Sequence, residues 1–120
     1  MDTGALIAIE KGADRLRLDL ANAILSARTI TLPTAVLAQF WRGSHPRVAK
    51  TLRACAIEGL SEATSKAIGM LLAAARTTDI VDAAVVEGAA RRGDTIATSD
   101  PDDIGRLVEA CGRKLRVETI

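Results

Sequence analysis

Short β-branched runs alternate with stretches of helical spacing along this chain, and that alternation constrains the fold most strongly. "TITLP" predicts a strand ended by Pro33 and followed by the helix "TAVLAQFWRG". "DTIAT" predicts a strand before the helix "PDDIGRLVEAC", and "KLRVETI" predicts a last strand. Because strands that alternate with helices usually pair in parallel through right-handed crossovers, we expect an α/β sandwich with a mainly parallel central sheet.

The remaining helices are predicted from apolar periodicity and from capping residues. Ser61 and Asp79 have the side chains of N-caps, and Gly12, Gly93 and Gly112 are typical of helix ends. The predicted helical stretches are Thr3–Glu10, 13–27, 46–56, 61–76 and 77–93.

Length and composition indicate one domain with an aliphatic core. The chain has 120 residues, which we assign to a single domain over residues 1–120, and 48% of them are hydrophobic while only 2% are aromatic. Ala, Leu, Ile and Val must therefore fill the core. The net charge is +1 with the basic residues spread along the chain, so any polyanion would have to bind a local patch.

Cysteine usage and the N-terminal segment favour a cytoplasmic protein. Cys55 and Cys111 are far apart in sequence and His45 is the single histidine, so we expect buried free thiols rather than a zinc site. The N-terminal stretch "MDTGALIAIEKG" has no basic region, and no segment approaches the ~20 apolar residues of a membrane span.

Three aspartates are predicted to meet at one edge of the sheet. Asp2 opens the first helix, Asp82 lies in the first turn of a later helix, and Asp100 directly follows the "TIAT" strand. In parallel α/β sheets this edge is where ligands bind. Crowded carboxylates repel one another unless a cation is present, and Mg²⁺ or Mn²⁺ prefers such oxygen ligands. Metal-dependent phosphodiester hydrolysis by an activated water is therefore our first hypothesis.

Helix capping is the simpler interpretation of each acid taken alone. Asp100 precedes Pro101 at the start of a helix, and Asp103 faces the helix dipole from the first turn. We interpret Asp79 as a cap rather than a ligand. The choice between capping and metal binding depends on whether several acids reach the same place.

Four segments, in order, resemble the PIN domain and, within it, the VapC-type toxins of prokaryotic toxin–antitoxin pairs. They are "DTGALIAI", "LPTAVLAQFWRG", "DIVDAAVVEGAARRGDTIATSD" and "SDPDDI". The resemblance implies a three-layer α/β/α sandwich and a Mg²⁺- or Mn²⁺-dependent endoribonuclease. It also implies an RNA substrate, a VapB-like antitoxin and a homodimer.

The same resemblance assigns roles residue by residue. Asp2, Asp82 and Asp100 match the family's first, third and fourth acids, and Asp103 is an auxiliary metal-binding acid. Thr98 and Ser99 match the hydroxyl positions that lead into the last acid, and we expect them to contact RNA.

Two departures from the family pattern concern the site. Gln39 stands where the family's second acid is normally Glu, and an amide brings no negative charge and cannot act as a base. We expect weaker metal affinity and slower turnover as a result. The family also has an apolar strand before the first acid, whereas only Met1 precedes Asp2, so we expect an upstream apolar stretch of about four to six codons.

Other residues receive weaker assignments. A basic group could follow an RNA backbone or form a solvated helix face. It comprises Arg42, Arg47, Lys50 and Arg53. Trp41 is interpreted as a packing anchor rather than a base-stacking platform, and His45 as uninvolved. The stripe "IGMLLAAA" predicts core or dimer contact, and Arg91 and Arg92 favour their helix dipole.

Two other function classes compete with the nuclease. The first is a PIN scaffold that has lost chemistry through Gln39 and binds RNA or protein. The second is phosphoryl transfer of the receiver or haloacid-phosphatase kind, which also places acids at strand ends. "DTGAL" lacks the D-x-D-x-[TV] run of the latter, and no suitable late lysine follows a strand.

Overall fold

A computed structural model describes residues 2–12 and 29–119 of this α/β protein. The elements run in the order α1 (Thr3–Glu10), β1 (Ile30–Pro33), α2 (Thr34–Phe40), α3 (Pro46–Leu52), β2 (Cys55–Glu58), α4 (Glu62–Ala75), α5 (Ile80–Arg92), β3 (Ile96–Thr98), α6 (Pro101–Cys111) and β4 (Val117–Thr119). The helix predicted over residues 13–27 falls outside the described residues.

All strand pairing in the described part of the chain is parallel. β1 pairs with β2, with Ile30 opposite Cys55, and β3 pairs with β4, with Ile96 opposite Val117. The prediction of an α/β fold with parallel strands is confirmed. Within the described residues the strands pair as two two-stranded sheets, and a single central sheet stays a prediction.

The prediction of one helix over residues 46–56 was wrong at its C-terminal end. The helix stops at Leu52, and residues Cys55–Glu58 form β2 instead. Ile57 within this stretch is β-branched, and β1 provides a parallel edge along all four of its residues. Pairing with β1 outweighs the helical spacing of the sequence.

Most predicted helix ends are confirmed. The Ser61 side chain accepts from the amide of Thr64, whose hydroxyl accepts in return from the Ser61 amide, which makes a capping box. Gly93 and Gly112 adopt positive φ angles of 75° and 71° at the ends of α5 and α6. Glycine reaches this left-handed conformation without a steric cost.

The core is aliphatic, as the composition predicts, with Phe40 as its one aromatic member among the described residues. Helix α5 packs against α4, α6 and α2 and touches both sheets. Its buried face is made of Ala and Val, whose small side chains allow this close approach. In the "IGMLLAAA" stripe, Ile68 and Leu71 are buried whereas Met70 is 74% exposed. No helix in the described ranges is long and apolar enough to cross a bilayer.

The cysteines are free and half-buried rather than fully buried as predicted. Burial raises the pKa of the Cys55 thiol.

The C-terminal end of α5 carries a network of opposite charges, which we call the ion-pair cluster. Its members are Glu58, Glu87, Arg91, Arg92 and Asp94. Arg91 and Arg92 both bind Glu58 of β2, and Arg92 also binds Asp94 at 2.7 Å. These arginines therefore tie α5 to the first sheet, in addition to lying at the favourable end of the helix dipole.

Candidate active site

Thr98 at the end of β3 joins two of the predicted acids. Its buried hydroxyl donates to Oδ2 of Asp2 and accepts from the backbone amide of Asp100 at 2.9 Å. Asp2 is itself only 3% exposed, and its Oδ1 accepts from the amide of Ala5 at 2.9 Å as the N-cap of α1. The carboxyl end of β3 therefore holds the starts of α1 and α6 together.

A glycine permits this close approach. A Cβ atom on Gly4 would lie 1.6 Å from Oγ of Ser99, far inside van der Waals contact. The first turn of α1 thus packs directly on the turn between β3 and α6. The Asp2 amide also donates to the carbonyl of Ala97 at 3.3 Å, which places Asp2 beside β3.

Asp82 faces the same region from the first turn of α5. Asp79 caps this helix by accepting from the amide of Asp82 at 3.0 Å, which confirms its predicted capping role. Burial raises the pKa of Asp82 to about 7, with further contributions from Asp79, Asp2 and Asp100. Three elements therefore bring negative charge within electrostatic reach of one carboxyl group.

Asp100 and Asp103 extend this charge along α6. Asp100 caps the helix by accepting from the amide of Asp103 at 3.3 Å. The hydrogen bond and the charge of Asp100 raise the pKa of Asp103, and Asp79 adds to the effect across the gap between helices. We call these residues the acidic cluster: Asp2, Asp79, Asp82, Asp100 and Asp103.

Gln39 lies at the border of the acidic cluster. It is exposed near the end of α2, and its Oε1 accepts a hydrogen bond from the hydroxyl of Thr3, the residue after Asp2. Its side chain therefore stands next to the start of α1. It supplies an amide oxygen at this point and no charge.

The aspartates of the acidic cluster are near one another but are not arranged as a metal-binding site in the described residues. Within residues 2–12 and 29–119, no three His, Cys, Asp or Glu side chains are arranged to hold a metal ion. The cluster does have the chemistry of a hard-cation site, because it offers carboxylate oxygens and one amide oxygen. Each oxygen of the Asp2 carboxyl accepts one protein hydrogen bond and keeps a second lone pair.

The predicted RNA-contacting residues divide between surface and interior. Arg42, Arg47, Lys50 and Ser99 are exposed. Thr98 is fully buried, and its hydroxyl contacts Asp2 and Asp100 rather than solvent. The structure thus gives Thr98 a positioning role in the acidic cluster.

Sequence reasoning missed two residues that shape this region, Thr3 and Gly4. Both belong to the segment "DTGAL", where attention went to the aspartate alone. A glycine in the first turn of a helix is a signal for close backbone approach, because glycine lowers helix stability and needs a reason to be there. No comparable signal points from Thr3 to Gln39.

No protein-family model and no curated protein sequence matches this chain.

Proposed function

We propose that this protein is a Mg²⁺- or Mn²⁺-dependent endoribonuclease whose acidic cluster is the active site. The observation that carries the proposal is that Thr98 at the end of β3 joins Asp2 to the start of α6, with the charges of Asp2 and Asp100 within electrostatic reach of Asp82. In the described part of the chain, no ion pair to Lys, Arg or His involves any member of the cluster. Negative charge gathered in this way attracts a divalent cation.

Asp2, Asp82 and Asp100 would supply oxygen ligands once their carboxyl groups turn toward one ion, with Asp103 beside them. A bound divalent ion would lower the pKa of a water and stabilise charge on the scissile phosphate. The protein's own contribution is positional. Thr98 fixes the Asp2 carboxyl and the Asp100 backbone in one place, and Gly4 lets the two helix starts approach.

The resemblance of four segments to PIN domains supports the same proposal and extends it to the fold. A three-layer sandwich would require the two sheets to belong to one. The Asp2 amide donates to the carbonyl of Ala97 in β3. The amide of Ile96, the residue before Ala97, donates to the carbonyl of Arg116 next to β4. Because successive strand residues point their amides to opposite sides, Asp2 lies on the edge of β3 away from β4.

A VapC-type toxin role, a VapB-like antitoxin and a homodimer belong to this proposal as well. They rest on the resemblance. Reading the neighbouring gene tests them, since a short frame that encodes a DNA-binding antitoxin would support the toxin role.

Metal-dependent RNA cleavage tests the chemistry. We expect the purified chain to cleave cellular RNA with Mg²⁺ or Mn²⁺ and to lose this activity in EDTA. Asp82→Asn and Asp100→Asn should each lower the rate at least about 100-fold, since even partners of metal ligands cost 10- to 100-fold. Asp102→Asn is the matched control, because this exposed residue lies in the same first turn of α6. Equal cleavage by all three variants would contradict the proposal.

A second candidate is a scaffold that binds RNA or protein without cleaving. Gln39 favours this candidate. An uncharged amide stands where a further negative charge was expected, and its oxygen already accepts a hydrogen bond from Thr3. Gln39→Glu separates the candidates. For an enzyme slowed by the amide, the variant should bind Mg²⁺ more tightly and cleave RNA faster. Unchanged affinity and cleavage would remove position 39 from the site.

A further inference from the structure

Trp41 is an exposed aromatic side chain at the border of the acidic cluster. It follows the last turn of α2, where its amide donates to the carbonyl of Leu37 at 2.8 Å, and its side chain is 43% exposed. Gln39, two residues earlier, bonds the start of α1. The loop that begins at Trp41 therefore leaves from the edge of the proposed active site.

Contacts among three aromatic rings hold this tryptophan in place. The centroid of the His45 ring lies 4.4 Å from that of Phe40 and 5.4 Å from that of Trp41, with an edge contact to the indole at 74°. Phe40 is buried in the core. Because His45 connects the indole to the core, Trp41 presents a fixed aromatic surface to solvent rather than a freely rotating one.

The stretch of sequence that contains Trp41 is positively charged. The sequence contains no Asp or Glu between Asp19 and Glu58. Over the same stretch, the structure records no ion pair in its described ranges for Arg42, Lys50 or Arg53, which are all exposed.

Among the described residues, one acid contacts this basic stretch from another element. It is Glu10 of α1, whose carboxylate accepts from the amide of Val48 at 3.0 Å. Arg47 donates to the backbone carbonyl of Glu10 rather than to its carboxylate, and within the described residues it forms no ion pair.

We propose that Trp41 is a base-stacking platform and that the basic residues around it bind the phosphates of a single-stranded nucleic acid. The inference deepens the proposed function, on which it rests for RNA as the natural ligand. A fixed aromatic surface combined with unpaired cations is the combination that single-strand binding uses. A double helix would shield its base faces from the indole, so single strands are preferred.

The charge around Trp41 argues for a polyanion over a protein partner. Interfaces between proteins are enriched in Trp and Arg but depleted in Lys, whereas phosphate binding uses Arg and Lys alike, so Lys50 within this acid-free stretch favours a polyanion. Here the exposed indole has Arg42 as its direct neighbour and Arg47, Lys50 and Arg53 in the following helix and its end. A nucleic-acid strand matches both the ring and the charges.

Fluorescence of the native chain tests the proposal directly. Trp41 is the only tryptophan and there is no tyrosine, so the emission reports this one side chain. In EDTA, which prevents cleavage, a 12-nucleotide oligouridylate should quench the emission and bind in the micromolar range or weaker. A backbone of the same length without bases should leave the emission unchanged. Binding of oligouridylate without quenching would overturn the platform.

Variants measure the contribution of each group to binding. Followed by the anisotropy of labelled oligouridylate, since these variants lack the tryptophan, Trp41→Ala should weaken binding roughly 5- to 100-fold, as loss of one stacked base does, and Trp41→Phe should retain most of it. Log affinity falls as log salt rises, and Arg42→Ala and Lys50→Ala should each make this slope less steep by about 0.7. Met70→Ala and Lys66→Ala are controls, since both side chains are exposed on α4. Unchanged affinity in folded Trp41→Ala, checked by circular dichroism, would overturn the proposal.

Failure of this inference can be distinguished from failure of the proposed nuclease. If the chain cleaves RNA with Mg²⁺ but Trp41→Ala leaves oligouridylate affinity and the KM for RNA unchanged, the platform is wrong and the nuclease stands. If Trp41 is quenched and needed for binding but no cleavage occurs with any metal, the platform stands and the nuclease is wrong. Oligodeoxythymidylate and double-stranded RNA, run in parallel, test the preference for single-stranded RNA.

Discussion

The two ends of helix α5 handle charge in opposite ways. At its N-terminal end, Asp79 and Asp82 face other aspartates, and burial together with these charges raises the pKa of Asp82 to about 7. At its C-terminal end, Arg91 and Arg92 surround Glu58, and the hydrogen bond from Arg91 leads the interactions that lower the pKa of that carboxyl. One helix of 13 residues thus separates an uncompensated cluster from a compensated one.

The difference indicates where stability and function lie. The ion-pair cluster satisfies its own charges and links α5 to β2, as expected of a structural contact. The carboxylates of the acidic cluster repel one another, as expected of a site that binds a cation. Removing a group should therefore have different consequences at the two ends.

Thr98→Val should give the largest effect, because it removes the hydroxyl that joins Asp2 to Asp100. The buried Asp2 carboxyl loses one of its two donors and the Asp100 amide loses its acceptor, so we expect a loss of about 1–3 kcal/mol in the free energy of unfolding. Denaturant unfolding measures it. Thr119→Val is the control, since Thr119 is the exposed partner of Thr98 in β4. Equal losses in the two variants would show that the hydroxyl bridge adds nothing.

Asp82→Asn should stabilise the protein, in contrast to Thr98→Val, and the gain in stability should depend on pH. The pKa of Asp82 rises from 3.8 unfolded to about 7 folded, so its stabilising contribution is complete below pH 3.8 and is lost as pH rises through 7. The variant should therefore gain stability relative to the native chain between pH 4 and pH 8. The gain is about 1 kcal/mol after allowance for solvent screening at this half-exposed site.

Thermal unfolding at the two pH values measures this gain. Asp102→Asn, measured in the same way, separates a local effect from the general loss of one negative charge. If the difference between Asp82→Asn and the native chain were the same at pH 4 and pH 8, the repulsion assigned to the acidic cluster would be absent.

Glu58→Gln, at the C-terminal end of α5, should have the smallest effect on the free energy of unfolding. The lowered pKa of Glu58 means that its stabilising contribution is present above pH 4.5 and lost as pH falls. We expect a loss of about 0.5–1 kcal/mol at pH 7, because the partners are partly exposed. Glu62→Gln, which breaks the exposed pair with Lys66, should cost less. A stabilised Glu58→Gln would remove the distinction between the two ends of α5.

The local signals in the sequence predicted most of the described helices and the approach of Asp2 to the start of α6. Capping residues such as Ser61, Asp79 and Asp100 act within three residues of themselves, so their role can be seen in the sequence. Parallel pairing followed from the alternation of strands and helices. The approach of Asp2 and Asp100 followed from the rule that helix starts gather at one sheet edge.

Contacts between distant segments could not be predicted in the same way. β2 forms because β1 lies beside it, and nothing local in "CAIE" shows that edge. The bond between Thr3 and Gln39 joins residues whose own neighbours give no hint of it. The exposed fraction of Trp41 depends on how His45 and Phe40 arrange their rings, which the sequence does not show.

Binding of Mn²⁺, followed by NMR of side-chain carboxyl carbons, tests the central claim most directly. Mn²⁺ is paramagnetic and broadens signals close to it, so each carboxyl reports on its own distance from the ion. We predict that substoichiometric Mn²⁺ broadens the signals of Asp2, Asp82 and Asp100 first and leaves those of Glu58 and Glu87 sharp. Equal broadening across all exposed acids, or none at the acidic cluster, would contradict the account.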